Sequence, residues 1–498
     1  MNVNPITRLD YPDLDVIRVE DTYYMVSTTM HFMPGCEILQ SFDLVHWEHA
    51  TYVYETLDHT DAQQLKSGQN IYGQGMWAAS LRYHEGRFYI CFVANDTRKT
   101  YLYTSEKIDG PWKKQLIEGF YHDGSLLFDE DGRNYIVYGN DEIWITELNE
   151  DLTAPKKDGL HRLLVSDHKN PELGYEGSHI QKINGYYYIF LVHSLRDRWM
   201  RTEACFYSDS LEGEFTGGDV LCDDRGYCGQ GVAQGGIVDT PDGKWYAMLF
   251  QDSGAVGRIP ILVPVTWKDH FPVFGQNGHV PEEIEVHSTR PGYIYQPLVG
   301  SDDFCNGLLP RWQFNHDPDP RYYHLDALQG TYTITTREVC TELTQAVNTL
   351  TQRMSYPSCA AEVTVDASAL KEGDVAGLCA LQGCYAAVGI TKHHGKYEVL
   401  MLDKKEDGIL DMTERTVVES HQMDFRLEAD FCNMKDEARC YYRVNKGDWL
   451  PIGTVHKLYF KLDHFTGCRF GLFCYAAEET GGSACFRDFK YYDVDEIS

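Results

Sequence analysis

Apolar and polar positions in the first part of the chain repeat a two-beat pattern in five segments: "VIRVEDTYYMVSTT", "LRYHEGRFYICFVAN", "LLFDEDGRNYIVYGN", "IQKINGYYYIFLVHS" and "GIVDTPDGKWYAMLFQ". Each is an apolar-rich run, a tight polar turn with Gly or Asp, and a second run that begins in aromatic residues. Asn-Gly, Asp-Gly and Glu-Gly are the choices a short β-hairpin favours, because its central positions often need φ > 0. A tyrosine follows each turn at a fixed offset: Tyr24, Tyr89, Tyr135, Tyr188 and Tyr246, spaced by 65, 46, 53 and 58 residues. These intervals suit one four-stranded propeller blade with variable loops. The pattern predicts five blades, with the tyrosines as core.

Beyond the Pro/Gly-containing connector "EVHSTRPGYIYQPLVGSDDF" the pattern changes to short alternating strands such as "GTYTITT", "AAEVTVDASA" and "KYEVLMLD". Such strands with turns at hairpin spacing predict a β-sandwich. The expected organisation is all-β: a five-bladed propeller over residues 1–290, a linker over 291–302 and a sandwich over 303–498. A chain of 498 residues is also too long for a single core.

The repeat carries a chemical inference. Twelve residues before the last four tyrosines stand Trp77, Asp123, Glu176 and Gln234, and eleven before Tyr24, whose turn is one residue shorter, stands Asp13. Equivalent positions of successive blades are related by rotation about one axis. If these positions begin the innermost strands, Asp13, Asp123 and Glu176 meet at one mouth of the central channel. One such carboxylate alone is more often a turn or cap residue. Three together oppose one another's ionisation, and glycosidic-bond hydrolysis supplies a use for them. A protonated acid must sit at the leaving oxygen while an ionised base activates water. Glu176 is the expected proton donor, with Gly177 leaving room for a sugar, and Trp77 an apolar wall.

Composition narrows the partners. Aromatic residues make up 13% of the chain, including 34 Tyr and 9 Trp, and their faces suit sugar C–H surfaces. A formal net charge of −31 would repel nucleic acid and anionic membranes. The N-terminal stretch carries no basic-then-apolar export pattern, and no run reaches membrane-spanning length. The 15 cysteines are scattered without a C-x-x-C pair, which predicts reduced thiols and a cytoplasmic location. The expected partner is a small oligosaccharide substrate, with a homo-oligomer possible. "GQGVAQGG" lacks the Lys-Ser/Thr of a phosphate loop, and "KHHG" and "DEDG" read as turns.

At these residues the sequence resembles glycoside hydrolase family 43, the β-xylosidase and α-L-arabinofuranosidase group. The likeness rests on "NPITRLDYPDLDVIRVEDTYYMVSTT", "MWAASL", "HDGSLLFDEDG", "YEGSHIQKINGYYY" and "VGRIPILVPVTWKD", in the family's order. It implies inverting, single-displacement hydrolysis, with Asp13 as general base, Asp123 as the residue that modulates the acid's pKa, and Glu176 as general acid. It further implies substrate contacts from Phe32, Trp77 and Arg258, with Gln234 in the same register; Asp15 is a rival to Asp13. The closing stretch "FTGCRFGLFCYAAEETGGSACFRDFKYYD" is similar to the family's concanavalin-like C-terminal domain. A loop of that jelly roll narrows the propeller mouth in relatives, which makes Phe465 a candidate tip, though a core Phe fits as well. Relatives often hold calcium in the central channel through a His near the segment that here reads Ala233-Gln234. No cofactor is therefore expected to be required. The expected activity is release of β-linked D-xylose from non-reducing ends, with α-L-arabinofuranosidase activity as the alternative. A non-catalytic sugar-binding propeller is the rival class, disfavoured because a lectin needs no proton donor.

Overall fold

The computed structural model describes residues 3–493. Five antiparallel sheets follow one another in chain order, four of them four-stranded. Their innermost strands are Asp15–Val19, Met76–His84, Ser125–Phe128, Glu176–Ile183 and, for the split first strand of the fifth, Val232–Ala233 with Ile237–Asp239. This is the five-bladed propeller the repeat predicts. The hairpins form as the turn residues dictate. His84 pairs with Arg87 and Ile183 with Tyr186, so Glu85-Gly86 and Asn184-Gly185 are two-residue loops, and all four residues have positive φ.

The tyrosines do not all end in the core. Tyr135, Tyr188 and Tyr246 are buried, whereas Tyr24 and Tyr89 are only half-buried. In the first two blades the inward position is taken by the neighbour, Tyr23 and Phe88, because side chains alternate faces along a strand.

Two large sheets form the sandwich. One runs Tyr323–Asp326, Thr331–Thr335, Ser483–Asp493, Ser358–Asp366, Gln422–Asp430, Glu437–Arg443, Leu450–Lys457. The other contains Gln313–Asn315, Leu350–Arg353, Arg469–Tyr475 and the hairpins from Val375 to Val418, and its edge strand is Phe32–Met33, contributed by the first blade. That donated strand explains where Phe32 goes. Its side chain is 1% exposed, with the Arg469 guanidinium 3.5 Å above the ring. It packs between the two halves of the molecule and does not join the cavity wall.

The halves are locked directly behind the cavity. Arg353 of the sandwich, fully buried, donates to the Asp10 carbonyl at 2.9 Å and to Glu37 Oε2 at 2.8 Å. Asp10 accepts from the backbone N–H of Arg258 at 2.7 Å and of Gly467 at 2.8 Å. The connector is strapped to the first blade, through Tyr295 and Tyr293 to Phe42 and Glu48. No helix is long and apolar enough to cross a membrane among the described residues.

Candidate active site

One cavity of about 640 Å³ opens at the propeller mouth, and Asp13, Trp77, Asp123, Glu176 and Gln234 all line it, joined by Arg258 and Phe465. The five positions counted back from the tyrosines do converge. Three of them, Asp13, Asp123 and Gln234, have φ of 54°, 48° and 67°. Left-handed backbone is uncommon for residues other than glycine, and here it turns each chain sharply at the entry to an innermost strand.

Asp13 is surrounded by donors. Arg258 Nη1 and Gln234 Nε2 each donate to Oδ1 at 3.0 Å, and Thr28 Oγ1 donates to Oδ2 at 2.7 Å. Gln234 is itself fixed by its backbone N–H, which donates to Glu203 Oε2 at 2.7 Å. Glu203 is fully buried, and no hydrogen-bond partner reaches its Oε1 among the described residues. Burial pushes its carboxyl well above the usual carboxylate range.

Asp123 and Glu176 meet from adjacent blades. The N–H of Gly177 donates to Asp123 Oδ2 at 2.9 Å, and Asn140 Nδ2 donates to Glu176 Oε2 at 2.8 Å. Between the two carboxylates lies His122, whose Nε2 is 3.5 Å from Asp123 Oδ2 and 3.5 Å from Glu176 Oε2. Burial, then the charges of Glu176 and Asp13, raise Asp123 to about 6 against the pull of His122. Glu176 moves the other way: burial would raise it, but the hydrogen bond and charge of His122, with Arg201 and Arg258, hold it below the usual carboxylate range. Burial works against a charge on His122, yet Asp123, Glu176 and Asp13 outweigh it and raise the imidazole to about 9. The trio reads as a proton-sharing cluster.

Gly177 serves a different purpose from the one expected. Its φ is +64°, and a Cβ there would meet Gln234 Cγ at 2.7 Å. It makes room for the glutamine that holds Asp13, not for a sugar.

Asp15, the rival to Asp13, is excluded from the cavity. It is 1% exposed, accepts from Arg82 Nη1 at 2.6 Å and from the Leu81 N–H at 2.7 Å, and sits 3.1 Å from His179 Nδ1. Burial opposes its charge, but Arg82 and His179 bring it down to about 2. Arg82 also donates to the carbonyls of Leu126 at 2.8 Å and Ile180 at 3.2 Å, and to Ser125 Oγ at 2.7 Å. The guanidinium thus ties the inner strands of four blades. A cation is thus built into the channel, bonded to oxygens that face it.

Much of the wall comes from residues the repeat does not mark. The sandwich supplies Met434, Phe460, Lys461 and Leu462 beside Phe465, and blade 4 supplies Trp199 and Arg201. Phe465 has φ of 55°, its ring lies 4.4 Å from the Arg258 guanidinium and 5.8 Å from Trp77, and it is therefore cavity wall. Trp199, 42% exposed, and Leu462, 76% exposed, stand at the rim. His122 could have been noticed beside Asp123 in "YHDGSLLF", since an imidazole next to a carboxylate is a titrating pair. The rim residues carry no such signal.

Comparison with known proteins agrees with this architecture. Residues 3–272 match glycosyl hydrolases family 43, and residues 301–492 match the beta xylosidase C-terminal concanavalin A-like domain. The chain is 27% identical to a beta-xylosidase of Formosa agariphila over 99% of this chain and 89% of that protein. It is 24% identical to a xylosidase/arabinosidase of Butyrivibrio fibrisolvens, over 99% of each. Among solved structures, a bifunctional GH43-CE protein of Bacteroides eggerthii superposes with a TM-score of 0.92 at 42% identity, covering 98% of this chain; the chain spans 63% of that longer protein. An engineered GH43 enzyme with endo-xylanase and exo-arabinofuranosidase activity superposes with a TM-score of 0.87 at 27% identity, over 99% of this chain and 100% of that one. The chain therefore belongs to glycoside hydrolase family 43 and is a glycosidase.

Proposed function

We propose that the enzyme removes β-linked D-xylose from the non-reducing ends of xylo-oligosaccharides by inversion, with Asp13 as general base, Glu176 as general acid and Asp123 holding the acid's proton balance. The coarser chemistry, inverting hydrolysis of xylan- or arabinan-type glycosides, goes with the family. The single observation that carries the residue roles is the meeting of the three carboxylates in one cavity with opposite surroundings. Asp13 faces only donors, as a group that must accept a proton from water should. Glu176 and Asp123 share theirs with an imidazole, as a group that must deliver one should.

Chain-end action is supported by the sandwich loops: Met434, Phe460 and Phe465 wall the cavity, which favours a terminal sugar over a continuous chain. Arabinofuranosidase activity is the second reading, favoured by the xylosidase/arabinosidase relative. We propose no metal requirement, on the strength of Arg82. The fifteen unpaired thiols suit the reducing cytoplasm. The test is an NMR time course on nitrophenyl β-D-xylopyranoside, whose one released xylose should appear first as the α-anomer, together with turnover assays on xylobiose and nitrophenyl α-L-arabinofuranoside. Early β-xylose would rule out inversion. Turnover of the arabinoside alone would replace the substrate.

A further inference from the structure

Besides the acid, the base and the modulating aspartate, the cavity holds a fourth titrating group with no assigned use. His122 is held by its own backbone, whose carbonyl accepts from the Gly139 N–H at 3.0 Å. Its ring is flanked edge-on by Trp77, centroids 5.8 Å apart. The charged groups around it are Asp123 from the same turn, Glu176 from blade 4 and Asp13 from blade 1, while Arg201 and Arg258 act on Glu176 from blades 4 and 5. The second blade presents the indole of Trp77. His122 Nε2 and the amide of Asn140 converge on one and the same oxygen, Oε2 of Glu176.

This arrangement raises a difficulty for a general acid. In the free enzyme Glu176 is biased toward its ionised form by the neighbour that bridges it to Asp123. A carboxylate that must be protonated for each turnover needs a nearby source, and the titrating group on its Oε2 is the imidazole of His122, raised to about 9.

We propose that His122 stores the proton that recharges Glu176, acting from Nε2 as a positioning and proton-holding residue behind the general acid. The proposal rests on the reading of Glu176 as the acid. When a sugar fills the cavity and expels water, the separated charges of imidazolium and carboxylate lose solvation. The Nε2–H bond then breaks and the proton moves to Glu176 Oε2, leaving a neutral imidazole and a neutral carboxyl. Glu176 delivers that proton to the leaving oxygen as the glycosidic C–O bond breaks with its electron pair on that oxygen. Water adds to the anomeric carbon, giving one proton to Asp13. Loss of that proton to solvent and uptake of one by His122 restore the free enzyme, so the net reaction is hydrolysis.

The experiment compares wild type with His122→Phe, which keeps ring volume, and His122→Asn, which keeps a donor but cannot titrate. The readouts are kcat and KM from pH 5 to 10 on xylobiose and on a dinitrophenyl xyloside whose leaving group needs no proton. Both variants should lose about 100-fold in kcat on xylobiose near pH 8, with KM little changed and the dinitrophenyl substrate largely spared. The basic limb of the profile should move acidward by a unit or more. A mere electrostatic neighbour does the reverse: removing its positive charge raises Glu176 and moves the limb alkaline, an outcome that overturns the proposal. Equal losses on both substrates with an unmoved limb overturn it as well, leaving His122 as packing. Glu176→Gln is run alongside. If it impairs both substrates equally, the reading of Glu176 falls and the proposal with it; if it spares the dinitrophenyl substrate while the His122 variants do not, only the proposal falls.

Discussion

The Arg82 guanidinium lies 2.6 Å from the carboxylate of Asp15, two residues beyond Asp13, and from there reaches Ser125, Leu126 and Ile180 on the next two blades. Asp13 and Asp123 stand two residues before their inner strands and Glu176 begins its own. One internal cation therefore holds the three acids in mutual register.

Replacing Arg82 by Met should leave Asp15 charged, buried and without its main partner, a loss of about 3–5 kcal/mol. The thermal midpoint should fall by several degrees, with kcat falling along with it. The Asp15 contribution is present above its unfolded value near 4 and is lost as pH falls toward about 2, so the destabilisation should be fully visible at pH 7. Dialysis of the wild type against EDTA should change neither midpoint nor activity. A chelator-induced loss restored by calcium would show that the channel does take an ion.

Glu176→Gln should lose at least about 100-fold in kcat on xylobiose while retaining much of its rate on dinitrophenyl xyloside. Asp13→Asn should lose activity on both, because activation of water is needed whatever the leaving group. Steady-state kinetics on the two substrates decide. Equal and mild effects of both variants would contradict the assigned roles.

The positions that the sequence reveals are those tied to the repeat. Asp13, Trp77, Asp123, Glu176 and Gln234 share one offset from a tyrosine, and rotation about the propeller axis does the rest. Phe32 shares no such offset; it stands on a strand that pairs with Gln313–Asn315 from the other half, a long-range pairing that leaves no local trace. The sandwich residues at the mouth are invisible for the same reason. Met434 ends a short 3-10 turn and Leu462 lies in a turn, and where each comes to rest depends on how the sandwich meets the propeller, not on periodicity within either. The tyrosine rule itself slipped by one residue in the first two blades, since alternation decides burial and a hairpin register sets the phase.

Phe465→Ala should open the wall beside Arg258, removing a ring 4.4 Å from the guanidinium. The ring also lines the cavity, and losing about 1–2 kcal/mol of apolar contact with the sugar should raise KM for xylobiose by about 10-fold, with a smaller change in kcat. Trp199→Ala at the rim should instead raise KM more for xylotriose than for xylobiose. If Trp199→Ala leaves the two substrates' KM ratio unchanged, the rim indole does not contact the longer chain.

Acid should weaken the seam between the halves. His31, His316 and His464 are buried together, with His31 and His316 ring centroids 4.8 Å apart and His464 stacked on Tyr72 at 3.9 Å. Both ring nitrogens of His31 lack a hydrogen-bond partner among the described residues. Burial, then the neighbouring imidazoles and Arg469, push His31 well down, burial and His464 do the same to His316, and burial and Lys404 bring His464 to about 3. The native state therefore binds fewer protons than the unfolded chain. The sign follows: this stability is present above pH 6.5 and is lost as pH falls, at about 1.4 kcal/mol per pH unit for each histidine. His31→Phe removes one of the three without breaking a hydrogen bond, whereas His316 accepts from the Ile71 N–H at 3.0 Å and is the poorer choice. The variant should match wild type in thermal midpoint at pH 8 and exceed it at pH 5. Midpoints that fall in parallel from pH 8 to pH 5 would show that His31 does not gain a proton on unfolding.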